Sequence, residues 1–390
     1  MTTMDAKEAV AEHVAGMATA LVDLSHRIHA HPELGYEEEQ AAAWCADLLS
    51  DAGLGVETGV HDLPTAFRAT AGSGPLHIAL CVEYDALPGI GHACGHNMIA
   101  AMSLGAGIAA AGVADDVGLT VTILGTPAEE VGDGGGKILL LERGAFDGVH
   151  AAMMVHPAPV DAGNVPWNAA SMFECHYHGH EAHAAAAPEL GVNALDAVTV
   201  AQTALGLLRQ HLDPDAMVHG IVLAGGDAPN VVPAHAAVRY IVRAPDLDRM
   251  EESKVRVLRC FEAGALATGA TLEVRGGEKP YADVRNDRPL MKAYESNAAA
   301  IGRELVPGRA FAGRGAASTD MGNVSHALPA IHPLIGVDSL PAVPHQREFA
   351  AHAVTAVADR AVVEGATALA MTAVDAACDE GLRAHLLSRS

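Results

Sequence analysis

The alternation of short apolar runs with helix-like stretches most constrains how this chain can fold. Residues 76–82 read as a buried strand, 97–111 as a helix of small residues and 119–125 as an alternating strand. Residues 136–143 follow as a short helix and 151–155 as a further strand. Strands that alternate with helices build a mostly parallel sheet with helices on its faces. The pattern then changes. Strand 172–178, helix 194–210, strands 219–223 and 236–243, helix 247–266 and strand 271–275 follow in the order β-α-β-β-α-β, the split βαβ arrangement. Helical signals resume at 289–301 and 351–377. The expected fold is α/β. A discontinuous domain, residues 1–169 and 286–390, carries a mixed sheet flanked by helices, and an inserted α+β domain, residues 170–285, interrupts it.

The 390 residues suit two domains with a sizeable core. The 24 Lys and Arg stand against 48 Asp and Glu, a formal net charge of -24, which repels phosphate backbones and disfavours anionic membrane surfaces. Neither nucleic acid nor membrane is an expected partner. Residues 1–12 are polar and carry no apolar signal core, and no apolar run reaches the length that spans a bilayer. The six cysteines are widely spread and form no small disulfide framework, so the expected location is the reducing cytoplasm.

Three clusters carry chemistry, each after an apolar strand, where sites gather in parallel sheets. The first runs from Glu83-Tyr84-Asp85-Ala86-Leu87-Pro88 to Gly91-His92-Ala93-Cys94-Gly95-His96-Asn97. In an extended segment Cys94 and His96, two apart, point the same way, and a thiolate with an imidazole suits zinc or a similar metal. Alone, the pair better suits a buried thiol beside core histidines. The second cluster is Pro127-Ala128-Glu129-Glu130, between an apolar strand and Gly134-Gly135-Gly136. Adjacent carboxylates point apart, so one can ligate an ion while the other holds the attacking water. A solvated acidic loop is the plain alternative. In the third, Met153-Met154-Val155-His156-Pro157, His156 closes the apolar run.

With His29-Ala30-His31-Pro32-Glu33-Leu34-Gly35 upstream, these motifs resemble the metallopeptidases of peptidase family M20, in order from about His26 to His345. The resemblance is greatest to the amidohydrolase branch, subfamily D, with its hippurate, auxin-conjugate and aminobenzoyl-glutamate hydrolases. Glu83-Tyr84-Asp85 and Ser318-Thr319-Asp320 look most like the subgroup of aminobenzoyl-glutamate hydrolases and related dipeptidases. The resemblance implies two divalent metal ions per subunit, zinc first, with manganese, cobalt or nickel as alternatives. It implies Cys94 as bridging thiolate, His96, Glu130 and His156 as further ligands, Glu129 as general base and Asp85 as the carboxylate that orients a ligand. Other branches keep a ligand histidine where this chain has Glu83. The last ligand is drawn from His326, His332, His345 and His352, and His345, ahead of Gln346-Arg347-Glu348-Phe349, best matches the family's late pattern. The inserted domain resembles a ferredoxin-like lid that dimerises. Its His183 matches a histidine that helps hold the scissile carbonyl, supplied in many relatives by the partner subunit. Asn230 matches a substrate-binding asparagine, and Arg243 sits where relatives keep an arginine for the substrate carboxylate, or is an ordinary strand-end charge.

The implied activity is hydrolysis of the amide bond of an N-acyl amino acid or a small dipeptide-like conjugate, by a homodimer or tetramer. Alternatives are a dipeptidase or aminopeptidase acting on free amines, a thiol hydrolase with Cys94 as nucleophile, and a non-catalytic ligand-binding homologue with a structural metal.

Overall fold

The computed structural model describes residues 1–307 and 317–389. Its strands are β1 (Val56–Thr58), β2 (Phe67–Ala71), β3 (Leu76–Val82), β4 (Leu119–Gly125), β5 (Ala151–Met153), β6 (His156–Ala158), β7 (Ala169–His178), β8 (Met217–Ala224), β9 (His235–Ala244), β10 (Thr271–Gly276), β11 (Ala330–Ile331) and β12 (Leu334–Gly336). The larger sheet has the order β1-β2-β4-β3-β5-β11. β4, β3, β5 and β11 run parallel, while β1 and β2 join antiparallel at one edge, so the sheet is mixed. Both faces of β3 and β4 are covered, as parallel strands require: β3 is apolar apart from His77, and β4 is buried although Thr120 and Thr122 alternate with its apolar residues.

One covering element is the helix His96–Ala111, which packs on β3 and β4 and against two long helices, Thr3–Ala30 and Ala356–Cys378. Its small residues allow the close approach. A Cβ added at Gly107 would lie 2.3 Å from Ile123 Cγ1, and one at Gly105 would lie 2.6 Å from Leu21 Cδ1. The helix Thr3–Ala30 starts at a capping box formed by Thr2 and Asp5 and buries Val10, Val14, Leu21, Leu24 and Ile28 on one stripe. Each such apolar side chain contributes about 1.5–3 kcal/mol when fully buried.

The expected helix over 351–377 is two helices, Arg347–His352 and Ala356–Cys378, because Thr355 caps the second through its bond to Ala358 N. The second corrects an expectation: it is long and apolar enough to cross a membrane. In this fold 72% of that apolar window is buried, against the other core helices. A second correction concerns His156. The strand expected over 151–155 ends at Met153, and His156 opens β6, which pairs with β12 in a separate two-stranded sheet.

The inserted domain has an antiparallel sheet of order β10-β7-β9-β8. The helices Ala194–Leu208 and Leu247–Thr268 pack on it around a second apolar core that includes Phe173, Tyr177, Val238 and Phe261. β8 is an edge strand that leaves Ile221, Val222 and Leu223 exposed. The chain enters this domain at the start of β7 and leaves it after β10. The two crossings pair with each other through Ala170 and Tyr281.

Candidate metal centre

The tips of β3 and β4 and the start of β6 deliver their side chains to one buried place. Cys94 lies in a turn rather than in the extended segment expected. Gly95 is left-handed, φ 83°, and His96 opens the helix His96–Ala111. A Cβ at Gly95 would come 2.5 Å from Pro157 Cγ, so glycine lets the turn lie against β6. There Cys94 Sγ is 3.4 Å from His156 Nε2. His156 Nδ1 donates to its neighbour's carbonyl, Pro157 O, at 2.7 Å, which turns Nε2 towards the thiol.

Asp85 ties two donors together. One carboxylate oxygen meets His96 Nδ1 at 2.8 Å, leaving His96 Nε2 free for an ion, and the other accepts from Glu130 N at 2.9 Å. Such outer carboxylates fix the ring and raise its basicity. Glu129 Oε2 and Glu130 Oε1 both lie 3.9 Å from His96 Nε2. Glu130 Oε1 is 3.4 Å from His345 Nε2. His345 is brought in from far along the chain by a bond from its backbone N to Ala93 O at 2.8 Å.

Three groups have their donor atoms within 4.8 Å of one another: Cys94, His96 and His156; Cys94, Glu130 and His345; and His96, Glu129 and Glu130. Of the four late histidines, His345 alone joins such a group among the described residues. His326 is held by Asp283 O, and His332 stands beside His156 with ring centres 5.5 Å apart.

The electrostatics are those of a cation-shaped hole. Burial pushes the Cys94 thiol up, but His156, His345 and His96 outweigh it and hold the thiol well below its ordinary value. Burial raises Glu129 far above the usual carboxylate range, aided by Glu130 and Glu83, and raises Glu130 to about 7 with help from Cys94. The proximity of Cys94 and Glu130 raises His345 to about 11. His96 Nε2 and Glu130 Oε1 are buried and make no hydrogen bond among the described residues. Buried donors of this kind are otherwise costly, and a divalent cation satisfies them. The thiolate, imidazole and carboxylate set fits such an ion.

Two supports escaped the sequence reading. Glu38, fully buried, accepts from Ala128 N at 2.7 Å and from Thr65 Oγ1 at 2.9 Å, and so holds the left-handed Ala128 (φ 59°) that precedes Glu129. Lys137, also fully buried, lies 2.5 Å from Asp320 Oδ1 and 2.6 Å from Glu83 Oε1. Glu83, in the place of a ligand histidine elsewhere, is thus ion-paired, with its other oxygen 3.5 Å from His96 Nε2. A lone lysine between a glycine run and Ile138-Leu139-Leu140-Leu141 was the available signal.

The residues expected on a lid sit differently. His183 is exposed, its Nδ1 accepting from the N–H groups of Ala185 and Ala186. Asn230 is its neighbour, since Ala184 N donates to Asn230 O at 3.0 Å. No described contact joins either to the donor groups. Arg243 does face them. Its Nη1 donates to Ser318 Oγ at 2.6 Å, burial lowers its pKa, and the charges of Glu129 and Glu130 act on it. A cleft of about 530 Å³ opens between the domains, lined by Leu34, Ala86 and Glu130 on one side and Met172 and Arg239 on the other. That size suits a small-molecule ligand.

Residues 169–267 match the family described as a peptidase dimerisation domain. The chain is 39% identical over 385 residues to the Xaa-Arg dipeptidase of Mus musculus, covering 95% of this chain and 88% of that protein. It is 37% identical over 274 residues to one subunit of the p-aminobenzoyl-glutamate hydrolase of Escherichia coli (strain K12), covering 65% of this chain and 56% of that protein. Among solved structures, a Bacillus subtilis protein described as a dinuclear metal binding peptidase from the M20 family shares the fold. Its TM-score is 0.65 at 22% identity, over 92% of this chain and 98% of that one. Fold and relatives together define a metal-dependent hydrolase of peptide or amide bonds. The chain belongs to peptidase family M20.

Proposed function

We propose that this enzyme cleaves the amide bond of N-acyl amino acids or small dipeptide-like conjugates with two divalent cations and Glu129 as general base. The observation that carries the reading is the pair of three-donor groups that share Cys94. Cys94, His96 and His156 would hold one cation and Cys94, Glu130 and His345 the other, with Asp85 orienting His96. Zinc suits this set best, and manganese, cobalt and nickel are the alternatives. Cations bound there supply charge that polarises the scissile carbonyl and brings the pKa of water from about 16 towards roughly 7.

The rest is done by side chains. Glu129 is buried and its high proton affinity suits a group that takes a proton from the attacking water and holds it on its carboxylate. The same oxygen then gives the proton to the leaving nitrogen. Arg243 would receive the substrate carboxylate through its guanidinium fork. His183 and Asn230, exposed on the lid, would reach the substrate only when the lid closes or from the partner of a homodimer, and His183 would then steady the carbonyl oxygen. The dimerisation-domain match and the exposed apolar edge β8 support the dimer. The reading divides the chain into a catalytic domain, 1–169 with 286–390, and a lid, 170–285. Six unpaired cysteines support a cytoplasmic location.

The relatives' names favour a second reading of the substrate, a dipeptide with a free amine, because the Xaa-Arg dipeptidase matches over more of the chain than the aminobenzoyl-glutamate hydrolase does. A panel on metal-reconstituted enzyme separates the two. It holds benzoyl-, acetyl- and aminobenzoyl-glutamate conjugates, β-alanyl conjugates and free dipeptides ending in arginine. Turnover of blocked conjugates supports the first reading, and turnover of free dipeptides alone replaces it with the second. No turnover of any member by fully loaded protein would overturn both.

A further inference from the structure

The loop that carries the two glutamates is gripped by a residue from far along the chain, at the root of the inserted domain. The two chain crossings at the root of the lid pair antiparallel, Ala170 N to Tyr281 O and Tyr281 N to Ala170 O, both at 2.8 Å. Ala170 also lies opposite Arg243 in the lid sheet. Arg243, Ala170 and Tyr281 therefore form one row across the root of the lid.

The Tyr281 side chain leaves that row for the catalytic domain. It is 3% exposed, and its ring packs with Ile138 and Ala170, with Ile241 of β9 against them. Its hydroxyl donates to Glu129 O at 2.6 Å and accepts from Gly132 N at 3.2 Å. A phenylalanine ring would fill the same apolar site, so the hydroxyl has work only at this loop. The loop needs it. Ala128, Gly132 and Gly134 have φ values of 59°, 74° and 66°, so no helix or strand ladder fixes the stretch. Its outside partners are Glu38 at Ala128 N, Asp85 at Glu130 N, and Tyr36 and Lys279 at Gly134. Of the bonds described for the loop, the one from Tyr281 reaches the backbone of Glu129 itself.

We propose that Tyr281 is a positioning residue that couples the lid to the general base. Arg243 and Tyr281 stand at two ends of one row across the sheet, with Ala170 between them, hydrogen-bonded to Tyr281 and directly opposite Arg243 in the ladder. A substrate carboxylate that engages Arg243 fixes the row, and the row fixes the Glu129 backbone through the phenol. The enzyme would thus reach full rate only with a substrate seated on the lid. This inference rests on the reading of Glu129 as base.

The test uses Y281F in the full-length, metal-loaded protein, with a carboxylate substrate and its carboxamide analogue. A misplaced base costs on the order of 10- to 100-fold. The expected result is a fall in kcat of that size on the carboxylate substrate, with KM within about twofold, because the loss falls on the reacting complex rather than on binding. Cation content and melting temperature stay at parental values. The parent's kcat advantage for the carboxylate substrate over the carboxamide shrinks or disappears in Y281F. Unchanged kcat, an equal loss on both substrates, or a variant that loses its cations or its cooperative melt overturns the coupling. E129Q run in parallel separates the two claims. If E129Q turns over, the base assignment falls. If E129Q is inactive and Y281F matches the parent, the coupling alone falls.

Discussion

The proposed catalytic domain and the proposed lid hold their candidate functional groups in opposite ways. In the catalytic domain Cys94, His96, Glu129 and His156 are buried and locked by outer partners such as Asp85, Glu38 and Pro157 O. In the lid His183 and Asn230 are exposed, and Arg243 alone sits at the root, against Ser318. The proposed roles of the two regions account for the difference. Bond-breaking groups need fixed geometry in a dry site, which packing provides. Groups that recognise a substrate from the far side of a cleft have to admit it first, so they stay in water until closure or assembly.

The largest effect expected from this contrast is at the base. E129Q should lose about 10²- to 10⁴-fold in kcat, with cation content by elemental analysis unchanged. Retained turnover would remove the catalytic domain's side of the comparison. Next comes H183A, with a loss of about 10²- to 10³-fold in kcat, the cost of a missing oxyanion donor. Mixing the inactive E129Q and H183A proteins sharpens this: if His183 works across the dimer, mixed dimers recover activity, whereas a lid that closes on its own subunit gives none. D85N should weaken cation binding about 10- to 100-fold, measured by chelator competition, because His96 and the Glu130 backbone lose their shared anchor. The smallest effect is that of R243K. A lysine keeps the charge but not the fork, so KM for carboxylate substrates should rise roughly tenfold with little change in kcat. A KM that does not move would make Arg243 a strut of the lid's root rather than a substrate contact.

Much of the fold was legible because an apolar run marks a strand covered on both faces, as in β3, and alternation marks further strands, as in β4. The edge strand β1 and its neighbour β2 were not legible, being short and partly exposed. The helix Thr3–Ala30 carried a readable signal, apolar residues at helical spacing after a capping box, inside a stretch that looks polar at its start. At the centre the residue types named the donors, but the local reasoning about direction failed. Cys94 and His96 converge through a left-handed Gly95 and a helix start, not through an extended strand, and His156 belongs to β6 rather than to the run before it.

The sequence alone determined the chemistry on offer: one thiol, several imidazoles and paired carboxylates, each after an apolar run or inside a family-like motif. Tertiary structure decided which of them meet. His345 joins Cys94 and Glu130, while His326 is tied to a backbone carbonyl, and Lys137 finds Asp320 across more of the chain than any local pattern spans. The reason is geometric. Distances between donors are set by the order and stagger of strands in a sheet and by the turns that leave it, and neither is written in the spacing of residues along the chain.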